Sequence, residues 1–228
     1  MPAEHTDKRY EEELKKLRDD ILYMGGLVED QIQKAVSSLV NRDSTLAENI
    51  IERDHEVNRL DVEIDDLCIR LLALRQPAAR DLRFITTALK ITTDLERIGD
   101  MAVNICERAL ELNCEPQLKP YIDIPRMAQI SQRMIRESLD AFVREDTDLA
   151  LKVCKDDQQV DDLNSQIFRE TVSFMIEDPH TINRAMKIGF ISKYLERIAD
   201  HATNIAEMVI FMVKGKSIRH IKEIPQSI

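Results

Sequence analysis

From Ala88 to Ala109, apolar side chains return every three or four residues: Ala88, Ile91, Leu95, Ile98, Ala102, Ile105 and Ala109. At 100° per residue they occupy about one third of a helix circumference, so the segment predicts an amphipathic helix with one packing stripe. The same period over the rest of the chain predicts six helices, at roughly 10–40, 44–74, 80–112, 125–143, 148–176 and 181–213. Pro77 and Pro179 each end one helix and let the next begin. Pro116, Pro120 and Pro125 mark NCEPQLKPYIDIP as a linker. Asp43, Ser44, Asp146 and Thr147 are candidate N-caps, since a short side-chain oxygen can accept from free first-turn N–H groups.

The chain is also written twice. TTDLERIGDMAVNICE (92–107) returns one hundred residues later as SKYLERIADHATNIAE (192–207), with nine of sixteen positions identical. At an offset of 103, Asp43, Ala47, Asp54, Val57 and Leu60 match Asp146, Ala150, Asp157, Val160 and Leu163. The offset shortens to 100 at the turns RQPAARD and EDPHT. The expected fold is all-α, two similar antiparallel three-helix bundles side by side, with one unit over residues 1–115 and the second over 116–228.

Repetition of the apolar stripe is what packing demands; repetition of the polar face is not. Glu96, Arg97, Asp100, Asn104 and Glu107 recur as Glu196, Arg197, Asp200, Asn204 and Glu207. A glutamate and an aspartate four apart put two carboxylates on adjacent turns of one face, which destabilises an isolated helix by about 0.2–0.5 kcal/mol unless something offsets it. Hard cations with oxygen ligands are a natural counterpart. The candidate metal ligands are Glu96 and Asp100, Glu196 and Asp200, with Asp54, Asp157 and Asp161 from the second helix of each copy; Asn58, Asp61 and Asp65 offer further oxygens. A solvated face has the same pattern and is the commoner case for one helix. Agreement of five polar positions within one chain shifts the balance, because a surface should drift while a core persists.

Composition then narrows the function. With 43% hydrophobic and 32% charged residues and five glycines in 228, the chain suits a soluble helical protein. A net charge of −10 argues against nucleic acid, whose non-specific binding rests on Lys and Arg. The run KGKSIRHIK near the C-terminus is expected to be a solvated tail. The N-terminal residues lack a signal-peptide pattern and no window is long enough to cross a bilayer, so a cytoplasmic location is expected. Cys68, Cys106, Cys114 and Cys154 form no CxxC pair and are expected to be reduced core thiols.

The alternative to a binding protein is a carboxylate-bridged metalloenzyme of the helical-bundle type. Di-iron bundles take Glu-x-x-His from two helices. Glu52 with His55 has that spacing, but its companion, Glu177 with His180, is interrupted by Pro179. His201, beside Asp200, has Met101 as its counterpart. There is no Gly-rich phosphate loop, so no organic cofactor is expected and catalysis is the weaker reading.

MGGLVEDQI, RQPAARDLR, LERIGDMAVNI and LERIADHATNI, in this order on a doubled three-helix pattern, resemble the PhoU family of accessory regulators of bacterial phosphate-specific transport. The resemblance runs from about Tyr10 to His220. It implies a cytoplasmic protein, usually a homodimer, that reaches the membrane through its partners. It implies that these are the ATPase subunit of the phosphate ABC transporter and the sensor histidine kinase PhoR, and that the protein dampens starvation signalling and restrains uptake. It also implies a Glu/Asp-x-x-x-Asp motif that in some members binds iron or another metal cluster, here Glu96 with Asp100 and Glu196 with Asp200. Iron, manganese, magnesium and zinc are the ions considered. Ala199 stands where the first copy has Gly99, a departure that should leave the carboxylates in place.

Overall fold

The computed structural model describes residues 8–215. They form seven α-helices and one short 3-10 turn: α1 Lys8–Val40, α2 Ser44–Arg53, α3 His55–Arg75, α4 Ala79–Asn113, α5 Asp123–Arg144, α6 Thr147–Glu177, the turn Pro179–Thr181, and α7 Ile182–Lys214. No strand occurs among the described residues. The run KGKSIRHIK (214–222) lies outside them from residue 216 on, as do residues 1–7.

The first repeat contains α1 to α4 and the second α5 to α7. α4 and α7 pack on each other at the centre, α1 lies against α4 and α5, and α2/α3 and α6 cover the outside. One continuous apolar core crosses from repeat to repeat. Phe84 of α4 stacks on the fully buried Phe142 of α5, with ring centroids 5.2 Å apart and planes at 8°. Where α1 passes α5, a Cβ on Gly25 would come within 2.2 Å of Leu139 Cδ1, so glycine permits the close approach.

Helix starts follow the expected caps. Asp43 accepts from the Leu46 amide, and Asp146 from those of Asp148 and Leu149. Asp146→Ala should therefore cost about 1 kcal/mol, read as a lower urea midpoint at unchanged slope. Just before these caps, the equivalent residues Arg42 and Glu145 both adopt positive φ, 55° and 56°. Each spends its charge on an anchor across the fold. Arg42 donates to the carbonyls of Asn113 and Glu115 at 2.6 and 2.7 Å, and Glu145 accepts from Arg80 at 2.7 and 2.8 Å.

Two expectations are corrected. The helix expected at 44–74 is broken at Asp54, while its counterpart α6 runs unbroken. His55 Nδ1 donates to the Glu52 carbonyl at 2.7 Å, and the Asp54 amide bonds back to Ile51 rather than one residue further, so the ladder tightens by a residue here. Nor are all four cysteines in the core. Cys68 and Cys106 are buried, Cys154 is half-buried and Cys114 is exposed, because Cys114 sits at the fraying end of α4 rather than on its apolar stripe.

Candidate functional site

The polar face of α4 is neither a free solvated face nor buried: Arg97 and Glu107 are exposed, while Glu96 and Asp100 are partly covered. The apolar stripe of α4 is taken by α1 and α7, and α2/α3 closes over the next sector. Glu96 and Asp100 on α4, Asp54 at the α2–α3 junction and Asp61 on α3 thus become half-buried in a seam between helices. The second repeat does the same between α6 and α7. Asp157, Asp161 and Glu196 are half-buried there, while Asp200 keeps more exposure.

Crowding of like charge is visible in the acidities. Burial raises the Asp54 pKa, and the nearby Asp100 adds to the rise. Glu96 is raised by burial and then by Asp100, with smaller contributions from Asp61 and Asp54. In the second seam, burial together with Asp200, Asp161 and Glu196 lifts Asp157 to about 7. Asp161 and Asp200 are raised by burial and by Glu196.

The two seams are not copies in detail. In the first, Gln31 Nε2 donates to Asp54 Oδ1 at 3.3 Å and Asn58 Nδ2 donates to Oδ2 at 3.0 Å; both bonds hold the Asp54 pKa down. Met134 and Asp161 occupy the equivalent positions in the second repeat, so the two amide donors are absent there; Asp161 raises the Asp157 pKa and the Thr203 hydroxyl lowers it. Gln31 is nearly buried and its Oε1 has no hydrogen-bond partner. That oxygen lies 3.4 Å from where a Gly99 Cβ would be, and Asp54 Oδ1 lies 3.3 Å from the same point. Ala199 fills the corresponding space.

The counter-charges differ as well. Arg97 lies 3.5 Å from Glu96 and 3.3 Å from Asp100. Its counterpart Arg197 makes no ion pair within 4.0 Å among the described residues. Lys193 of α7 takes over, 2.5 Å from Glu196. The sequence reading missed Gln31 and Lys193. A polar residue on the buried stripe of α1 was the available signal for Gln31; Lys193 has Thr93 as its counterpart, so the repeat pointed away from it.

The carboxylates of the seams offer oxygen donors, the kind a hard cation takes. As placed, no three His, Cys, Asp or Glu side chains among the described residues converge on one ion-sized point. The histidines weighed for an iron centre are engaged elsewhere: His55 on the Glu52 carbonyl, His180 on Asp178 at 2.9 Å. His201 Nδ1 donates across the repeats to Asp94 of α4 at 2.7 Å. No described helix is long and apolar enough to cross a membrane.

With this geometry in view, the chain can be set beside known proteins. The family model for the PhoU domain matches twice, over residues 21–109 and 124–209. The phosphate-specific transport system accessory protein PhoU homolog of Pseudomonas aeruginosa is 45% identical over 219 residues, covering 95% of this chain and 90% of that one. The Escherichia coli K12 accessory protein PhoU is 36% identical over 217 residues, with 95% and 90% covered. The crystal structure of PhoU from P. aeruginosa superposes with a TM-score of 0.87 at 44% identity, over 91% of this chain and 100% of that one. The phosphate transport system regulatory protein PhoU from Streptococcus pneumoniae gives a TM-score of 0.86 at 30% identity, over 92% and 99%. Two matched segments, an all-helical doubled fold and similarity along nearly the whole length lead to one conclusion: the chain belongs to the PhoU family.

Proposed function

We propose that this protein is an accessory regulator of phosphate-specific transport, acting in the cytoplasm as an adaptor. It links the ATPase subunit of the phosphate ABC transporter to the sensor kinase PhoR, and so restrains uptake and starvation signalling. The observation that carries this reading is the similarity over 95% of the chain to proteins named as accessory to that transport system. In this reading the protein works as a homodimer and transforms no substrate.

Metal enters the same reading. The two seams take up a hard cation or a small cluster, with Glu96, Asp100 and Asp54 as donors in the first and Glu196, Asp200, Asp157 and Asp161 in the second. The donor chemistry and the crowding of half-buried negative charge support this. Closing on an ion requires side-chain rotation, with Arg97 and Lys193 giving way, since both now supply the positive charge. A bound cation would reverse the local sign of each seam and change which partner surfaces it attracts.

Two measurements test the reading separately. Tagged protein from phosphate-replete cells should recover the transporter ATPase and PhoR; recovery of neither refutes the adaptor. Elemental analysis of protein loaded with Fe, Mn, Mg or Zn should show that Asp100→Ala and Asp200→Ala each lose about half of the bound metal. Unchanged metal content in the double variant refutes the metal sites.

A further inference from the structure

The outer surface of the second repeat has an apolar groove between α6 and α7 with a volume of about 560 Å³. Phe168 and Met175 line it from α6, and Met186, Gly189 and Phe190 from α7. Phe168 is 63% exposed, Met186 47% and Phe190 45%, and further along the same two helices Ile176 stands 79% exposed.

The duplication supplies an internal control. The positions of Phe168, Arg169, Met186, Gly189, Phe190 and Lys193 are held in the first repeat by Asp65, Asp66, Thr86, Leu89, Lys90 and Thr93. The same helix pair therefore packs with Asp65, Thr86 and Lys90 where the second repeat exposes Phe168, Met186 and Phe190. Gly189 lines the groove. A Cβ there would meet nothing within 4 Å, whereas Leu89 is partly buried against the core. A mid-helix glycine is destabilising by about 0.5–1 kcal/mol relative to alanine, so the fold itself gains nothing from the space.

Charge narrows the occupant. The groove is lined by Arg169 and Lys193 and by no carboxylate, on a chain of net charge −10. Arg169 makes no ion pair within 4.0 Å among the described residues. We propose that this groove docks one face of an amphipathic helix from a partner protein, its apolar side chains on Phe168, Met186 and Phe190 and its acidic side chains on Arg169 and Lys193. The inference rests on the adaptor reading and gives it a docking face. From Phe168 to Met175, and from Met186 to Lys193, the lining advances about 10 Å along each helix, room for two turns of an incoming helix. The two methionines let the surface adapt to the side chains it meets. A carboxylate arriving at Lys193 competes with Glu196 for it, which ties groove occupancy to the second acidic seam.

The test uses the full chain and two labelled helical peptides of about five turns. Both carry leucines at i, i+3 and i+7; one has glutamates beside them and the other lysines. By fluorescence anisotropy the glutamate peptide should bind saturably, and the lysine peptide at least about ten-fold more weakly. Gly189→Leu should fill the groove and weaken the glutamate peptide at least about ten-fold, as should Arg169→Glu. Gly189→Leu grows into open space and removes a mid-helix glycine, so an unchanged helical spectrum and a melting temperature no lower than that of the wild type should accompany the loss. Absence of binding up to about 1 mM, equal binding of the two peptides, or undiminished binding by Gly189→Leu overturns the proposal. Conversion of a dimer to a monomer by Gly189→Leu in sedimentation assigns the groove to a second copy, and overturns it too. Recovery of the transporter ATPase and PhoR by the tagged wild-type chain reports on the adaptor reading, and peptide binding reports on the groove, so the two fail separately.

Discussion

Asp157→Asn is expected to stabilise the metal-free protein at pH 8 by about 2 kcal/mol, a rise in melting temperature of about 4–8 °C. Asp157 titrates near 7 in the fold against 3.8 unperturbed. Between these values the folded chain holds a proton that the unfolded chain has released. The group therefore favours folding most at acid pH, and this stability is lost as pH rises through 7. Each tenfold weakening of the acid corresponds to about 1.4 kcal/mol, and partial exposure of the carboxyl halves the total. Asparagine keeps the shape, removes the charge and should flatten stability between about pH 4 and 7. Denaturant titrations at pH 5 and pH 8 check this, and equal wild-type stability at both would contradict it. A metal would take the deprotonated form, so the metal uptake proposed for the second seam should strengthen as pH rises through 7 and weaken in the same variant.

Phe142→Ala should be the most damaging of these substitutions, costing about 3–5 kcal/mol. Phe142 is fully buried and its ring stacks on Phe84 across the repeat boundary. Truncation removes transfer energy, leaves a cavity and breaks the aromatic pair. A single cooperative transition shifted down by about 10 °C is expected. Two separate melting steps, or a shift under about 2 °C, would show that the repeats do not share a core.

Helix type and most helix spans were legible because apolar periodicity is strong over long segments, and the N-caps Asp43 and Asp146 announced their own hydrogen bonds. The break at Asp54 was not legible. It comes from one histidine ring taking one carbonyl, a local exchange that leaves the apolar period intact. The repeat picked out the carboxylates, but periodicity gives only the angle between faces. Which neighbour covers each face is a tertiary fact, so a surface read as outward proved to be a seam. Phe168 and Phe190 were hidden for a related reason: an apolar residue at helical spacing reads as core whether or not another helix covers it.

Fusion of the two repeats also frees the symmetry. At the crossing of α4 and α7, His201 donates to Asp94, while the repeat-equivalent positions are Met101 and Tyr194. A pair of identical half-length chains would carry the same residues on both sides of the axis and could offer only two equal ends. One polypeptide with unlike halves has a polarity, and polarity is what a molecule needs to hold one protein by its head and a different one by its tail.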